Sequence, residues 1–222
     1  MVVIYLHGFA SSAQSSKATY LAAKLRERGI DLWTPDFNEP EFSTLTISRM
    51  IDQVGRLMNQ HRGLPVTLIG SSLGGFVAIQ TALMHPDRIA RLILLAPALD
   101  LRTGPPGDRS LAEWKRTNRL DVFHYAYGRV MALQYALYAD AQTYDSMNAS
   151  LKMPVQVFQG RRDTAVDPAA VERWATVRPN VELHLLDDDH QLGSSLDYIW
   201  SGVEKFFPTS KSRSIAPESP QG

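Results

Sequence analysis

The run Val66-Thr67-Leu68-Ile69-Gly70-Ser71-Ser72-Leu73-Gly74-Gly75-Phe76-Val77-Ala78-Ile79 constrains this chain more than any other segment, because it reads as a buried strand that breaks into Gly-x-Ser-x-Gly and restarts as a helix. A serine on such a turn takes a strained backbone conformation that only small neighbours permit, so its hydroxyl stands at the top of the sheet. Gly70 and Gly74 supply that space. Centring the motif on Ser71 would put Ile69 where the first glycine is needed, which makes Ser72 the candidate nucleophile. The motif alone turns up by chance in roughly one chain of this length in fifteen. Its surroundings have to carry the argument.

Elsewhere, apolar runs of strand length alternate with amphipathic stretches of helix length, the pattern of a parallel sheet covered by helices on both faces. The expected class is α/β, with about six mainly parallel strands at residues 2–6, 31–34, 66–70, 92–96, 155–159 and 181–185. Helices are expected near residues 15–28, 44–61, 73–84, 168–177 and 194–207. The 222 residues, 44% of them hydrophobic, suit one domain with one good core. Residues 101–150 break the rhythm, being too long for an ordinary connection and carrying helical patterning of their own. They read as a lid inserted over the site. This segment opens on Gly104-Pro105-Pro106-Gly107 and holds seven of the twenty aromatic residues, Trp114, Phe123, Tyr125, Tyr127, Tyr135, Tyr138 and Tyr144. Most of these rings are expected to pack within the lid, with a minority lining a substrate cavity. From residue 208 to 222 Ser, Pro, Lys and Gly dominate, the composition of a disordered tail.

Charge narrows the partners. The 23 basic and 23 acidic residues cancel, so nothing steers a nucleic acid or another polyanion, and a small-molecule substrate fits better. The absence of cysteine removes disulfides, thiolate nucleophiles and cysteine metal sites together. Met1-Val2-Val3-Ile4-Tyr5-Leu6 lacks a basic lead and runs directly into His7-Gly8, so it reads as a first strand rather than a signal peptide, and a cytoplasmic location is expected. No apolar run approaches the ~18 residues of a membrane helix, so no membrane partner is expected.

A serine hydroxyl is a poor nucleophile at neutral pH. It needs a base, an acid that orients the base, and donors for the developing oxyanion. Of six histidines, His61 and His85 fall at helix ends, His124 in the lid, and His184 inside the last strand. His190, in Asp187-Asp188-Asp189-His190, lies just beyond that strand's carboxyl end and is the expected base. For the acid, Asp163 follows the strand at 155–159 through Gly160-Arg161-Arg162. Asp167 competes, but Asp167-Pro168 has the form of a helix N-cap; Asp100, after the strand at 92–96, is a second rival. The oxyanion donors expected are the amides of Leu73, at the start of its helix, and Phe9, in the His7-Gly8-Phe9 loop, with His7 bonded inside that loop. The Asp187-Asp188-Asp189 run reads as a solvated acidic loop rather than a metal site, with Arg161 and Arg162 either offsetting its charge or meeting an anionic group on a substrate.

Taken together, Leu6-His7-Gly8-Phe9, Gly70-Ser71-Ser72-Leu73-Gly74-Gly75, Gly160-Arg161-Arg162-Asp163 and Asp189-His190 resemble the α/β-hydrolase superfamily in order and spacing, and the small YqiA-like bacterial esterases in particular. The resemblance covers residues 2–207, so the hydrolase domain is expected over residues 1–207 with its lid insertion at about 101–150. It implies a Ser72, Asp163, His190 triad, an oxyanion hole from Phe9 and Leu73, and hydrolysis of small or medium carboxylic esters through an acyl-enzyme, without a cofactor or metal. The lid, longer and more aromatic than in that family, departs from the pattern and leaves substrate preference open. A thioesterase or a peptidase-type hydrolase fits the same triad, and a non-catalytic module that holds a ligand or partner beneath the lid fits the same fold.

Overall fold

The computed structural model describes residues 1–102 and 111–207. The Gly104-Pro105-Pro106-Gly107 break and the tail at 208–222 lie outside the described residues.

In chain order the elements are β1 (Val2–Leu6), α1 (Ser16–Arg26), β2 (Leu32–Trp33), α2 (Ile47–Gln60), β3 (Val66–Ser71), α3 (Leu73–Met84) and β4 (Ile89–Leu95). There follow α4 (Leu111–Thr117), β5 (Leu120–His124), β6 (Arg129–Leu133), α5 (Ala136–Ala141), β7 (Val155–Gly160), α6 (Pro168–Thr176), β8 (Val181–Leu186) and α7 (Leu196–Val203). Six of the strands form one sheet in the order β2-β1-β3-β4-β7-β8, with every neighbouring pair parallel. The chain steps from β1 outward to β2 and then returns across β1 to β3, so the strand order reverses between β1 and β3. That is where a parallel sheet opens a crevice beyond its carboxyl ends.

Burial on both faces explains why β1 and β3 read as near-continuous apolar runs. On one face the apolar side chains of α1 (Leu21, Leu25) and α7 (Ile199, Trp200, Val203) pack with Val3, Tyr5, Ile69 and Phe158. On the other, Ile47, Met50, Ile51, Val54 and Met58 form the apolar stripe of α2 at helical spacing and pack with α3, α6 and the lid. Helix α3 is buried along almost its whole length, which is why it shows no polar face in the sequence.

Four of the five expected core strands differ from the sequence reading by one to three residues at an end, and β2 shrinks to Leu32 and Trp33. Pro35 follows β2 on the sheet's edge, where it removes a ladder donor and stops the pairing. Residues 194–207 are expected as one helix, but α7 ends at Val203 and a 3-10 turn, Glu204–Phe206, finishes the segment.

The inserted segment carries helices α4 and α5 and, between them, an antiparallel hairpin of β5 and β6 that the helical reading did not include. Leu120, Val122 and His124 alternate inward along β5 while Asp121 and Phe123 face solvent. The hairpin is tied to the sheet's crevice at two points. The Ala126 amide donates to the Ala10 carbonyl, and buried His124 meets Asn38, whose amide in turn donates to the Ser11 carbonyl. On its far side, Asp140 of α5 accepts from both the amide and the hydroxyl of Ser48 in the first turn of α2. Among the described residues no helix is long and apolar enough to cross a membrane.

Candidate active site

Strand β3 delivers Ser72 into a backbone conformation, φ 53° and ψ −116°, that an L-residue adopts only under constraint. The end of β4 supplies the constraint. The Ser72 amide donates to the Leu95 carbonyl at 3.0 Å, and the Ser72 carbonyl accepts from the Ala98 amide at 3.1 Å. The glycines leave the room this turn needs: a Cβ on Gly70 would run into the Gly74 carbonyl, and one on Gly74 into the carbonyl of Leu6. Ser72 thus stands beside the end of β1, at the reversal of strand order.

His190 and Asp163 reach the same point from the other half of the sheet. The loop after β7 and the loop after β8 are joined by backbone bonds, Arg161 N–H to the Leu186 carbonyl at 2.8 Å and Arg162 N–H to the Asp188 carbonyl at 3.0 Å. Gly160 allows this closeness, because a Cβ there would collide with the carbonyl of Asp188. His190 Nδ1 lies 2.8 Å from Asp163 Oδ2, and its Nε2 lies 3.1 Å from Ser72 Oγ.

The Asp163 side chain is fully buried and saturated with donors. Oδ1 accepts from the amides of Ala165 (2.8 Å) and Val166 (2.9 Å), and Oδ2 accepts from Gln159 Nε2 (2.8 Å) as well as His190. Burial pushes this carboxyl up, but the hydrogen bonds from His190, Val166 and Gln159 together outweigh it and hold it below the usual carboxylate range. An ionised carboxylate can only accept, so Nδ1 of His190 carries the proton, and in the neutral imidazole Nε2 is the nitrogen left to accept from the Ser72 hydroxyl.

The rival acids are occupied elsewhere. Asp167 caps α6 by accepting from the Ala169 amide at 3.0 Å, with Pro168 in the first turn, and Asp100 is held by the Arg102 side chain at 2.9 and 3.1 Å. His7 is held within its loop on one side only, its other ring nitrogen meeting the segment after β2. The Phe37 N–H can only donate, so Nε2 of His7 accepts it at 2.9 Å and the Nδ1 proton faces the Gly8 carbonyl, also at 2.9 Å. That brace keeps the loop after β1 against Ser72, the Cβ position of Gly8 lying 3.9 Å from Ser72 Oγ. Phe9 and Leu73 line the cavity together with Ser72, and the Leu73 amide, first in α3, has no carbonyl four residues back to receive it.

The cavity beside Ser72 has a volume of about 630 Å³. Its walls are mainly aliphatic, with Leu99 and Val171 from the core and Leu120, Val122 and Leu133 from the hairpin. Two of the seven lid aromatics reach it, Trp114 and Tyr138, while Phe123, Tyr125 and Tyr127 are exposed but still meet rings of the same segment, Phe123 on Tyr125 and Tyr127 stacked on His124. The acidic run also differs from expectation. Asp187 and Asp189 are exposed, but Asp188 is buried and accepts from the Ser195 hydroxyl and the Asp189 amide, each at 2.8 Å. Of the two neighbouring arginines, Arg162 pairs with Asp187. Among the described residues no group of three or more acidic or imidazole side chains is arranged to hold a metal ion.

Gln159 is the contact that sequence reasoning missed. Its signal was present: Gln156 and Gln159 are polar positions in a strand otherwise made of Val, Phe and Gly, and a buried polar side chain requires a partner.

The chain belongs to the Uncharacterised protein family UPF0227, whose model matches residues 2–207. Its fold is that of the α/β-hydrolases. The structure of Est1E from Butyrivibrio proteoclasticus with ferulic acid bound superposes with a TM-score of 0.81 at 21% identity, over 92% of this chain and 87% of that one. Alpha/beta hydrolase domain-containing protein 10 from mouse matches with a TM-score of 0.75 at 19% identity, over 92% and 88%. In sequence, the chain is 32% identical over 127 residues to the pimeloyl-acyl-carrier-protein methyl ester esterase of Salmonella heidelberg, a match that takes in 54% of this chain and 48% of the relative. It is 34% identical over 130 residues to the biotin biosynthesis bifunctional protein BioHC of Teredinibacter turnerae, covering 55% of this chain and 22% of that protein. The chain therefore spans less than half the length of these curated relatives.

Proposed function

We propose that the protein is a serine esterase that cleaves small or medium carboxylic esters through an acyl-enzyme. The observation that carries this reading is the continuous line of hydrogen-bonding atoms from Asp163 Oδ2 through His190 to Ser72 Oγ, at 2.8 and 3.1 Å, beside an apolar cavity. The name of the Salmonella relative, a methyl ester esterase, agrees with it.

In the first step His190 Nε2 takes the Ser72 proton as Oγ attacks the ester carbonyl. The oxyanion is assigned to the amides of Leu73 and Phe9, whose residues line the cavity beside Ser72. Asp163 holds the Nδ1 proton in position and stabilises the imidazolium, which then protonates the departing alcohol. Water, activated by the same imidazole, releases the acid. The aliphatic cavity offers no cation to an anionic acyl chain among its described residues, which favours an uncharged acyl group. No step requires a metal or an organic cofactor.

Ser72→Ala is expected to abolish turnover of p-nitrophenyl acetate and butyrate while unfolding at the wild-type temperature, and a fluorophosphonate probe is expected to label the wild type at Ser72 alone. Activity near wild type in Ser72→Ala, or an unlabelled wild type, overturns the reading. The same assay extended to acyl-CoA and aminoacyl-p-nitroanilide substrates sets ester against thioester and amide preference.

A further inference from the structure

Lys17 sits where two effects oppose a cation. It lies in the first turn of α1, whose amides present the positive end of the helix dipole, and it is only 7% exposed. Burial holds its amine below the usual lysine value against the opposing pull of Asp189, Asp188 and Asp163. What offsets these costs is the loop after β8. The ammonium donates to the Gln191 carbonyl at 2.7 Å and approaches that residue's side-chain oxygen at 3.5 Å.

Gln191 is the residue next to His190. On the other side of His190 the loop is already fastened to the loop after β7, through the Arg162 amide and the Asp188 carbonyl. Between those two fastenings the backbone is under constraint of its own. Leu192 takes φ 54°, a left-handed conformation unfavourable for leucine, and is completely buried. Two bonds within the loop shape that turn, Gln191 N–H to Asp189 Oδ1 at 2.8 Å and Leu192 N–H to the Asp189 carbonyl at 3.3 Å, but neither of them ties the residues beyond His190 to another element. The Lys17 ammonium is the charged group bonded there.

We propose that Lys17 is a positioning residue for His190, fixing the loop through the Gln191 carbonyl so that the imidazole stays aligned between Asp163 and Ser72. The proposal rests on the reading of His190 as the base. It assigns to α1, on the opposite face of the sheet from the lid, a part in the alignment of the site. Lys17 does not touch substrate or the reacting atoms.

Lys17→Met keeps the length and apolar stem of the side chain and removes its donors. It is expected to lower kcat for p-nitrophenyl butyrate about tenfold, the consequence of losing one charged hydrogen bond that holds the base in register. KM is expected to change little, because the cavity is untouched. Lys17→Arg, which keeps a cationic donor, is expected to recover most of that loss. In proton NMR, the Nδ1 proton of His190 is expected as a low-field signal in the wild type that broadens in Lys17→Met. A kcat for Lys17→Met equal to wild type, a loss that Lys17→Arg does not recover, or an unaltered Nδ1 signal overturns the proposal. Should Lys17→Met fail to unfold cooperatively, Lys17→Gln, too short to reach the Gln191 carbonyl, serves the same comparison with the same expected fall. If the wild type neither hydrolyses esters nor reacts with fluorophosphonate, the esterase reading fails, whereas the Nδ1 signals still report whether Lys17 aligns the imidazole.

Discussion

Ser72 holds a positive φ that an L-residue does not prefer, and the groups that impose it come from two parts of the chain: Leu95 and Ala98 at the end of β4, and the glycines at 70 and 74 on either side of Ser72. Asp163 shows the same dependence on surroundings. Four donors converge on its two oxygens, and one of them, Gln159, lies inside the strand that leads to it. Asp163→Asn preserves shape but offers an amide N–H or a weaker acceptor to Nδ1, and it leaves the wrong tautomer of His190 facing Ser72. Its kcat is expected to fall by about three to four orders of magnitude with KM little changed, measured on p-nitrophenyl butyrate. A fall of less than about tenfold would show that the carboxylate does not orient the base. Ser72 and His190 were legible as candidates from residue type and chain order, since each follows a strand, and Asp163 as one of three acids that do so. Gln159 left the mark of a polar residue in an apolar strand without naming its partner, and Lys17 left none, because a hydrogen-bond partner 174 residues away is set by packing rather than by local pattern.

At the level of elements, the strands that pack on both faces were the most legible, because uninterrupted apolar character survives any choice of neighbours. The edge strand β2 and the insertion were harder. In the insertion, the alternation Leu120, Val122, His124 is only five residues long and includes a polar residue on its inward side, so strand and helix periods fit it about equally. Its inward register becomes definite only where Asn38 receives His124 and the cavity receives Leu120 and Val122. Under the proposed function, the same insertion sets the room for the acyl chain. Ala141, buried at the end of α5, forms part of the cavity wall, and Ala141→Leu fills space there. Hydrolysis of p-nitrophenyl octanoate is expected to drop about tenfold or more in kcat/KM relative to the acetate, which needs no depth. Equal effects on both esters would place the acyl chain elsewhere.

Across the whole molecule, two buried carboxyls link the site to acid stability. Hydrogen bonds outweigh the effect of burial at Asp163 and at Asp188, so both titrate below the usual range when folded. Below about pH 4 the unfolded chain then binds more protons than the folded one. The stability these groups contribute is fully present above their unfolded value of about 3.9 and is lost as pH falls through the folded values. Urea midpoints are therefore expected to hold near neutrality and fall steeply below about pH 4, and less steeply in Asp188→Asn, which does not gain that proton. An identical slope in the variant would show that Asp188 carries none of the effect. Sequence by itself determined the parallel sheet, the strand that launches Ser72 and the order of the triad candidates, because burial on both faces and glycine's lack of a Cβ leave a local mark. Tertiary structure decided which carboxylate meets His190, what walls the cavity and how the base loop is anchored. Asp100, Asp163 and Asp167 are alike as residues; only the joining of the loops after β7 and β8 places one of them 2.8 Å from the imidazole.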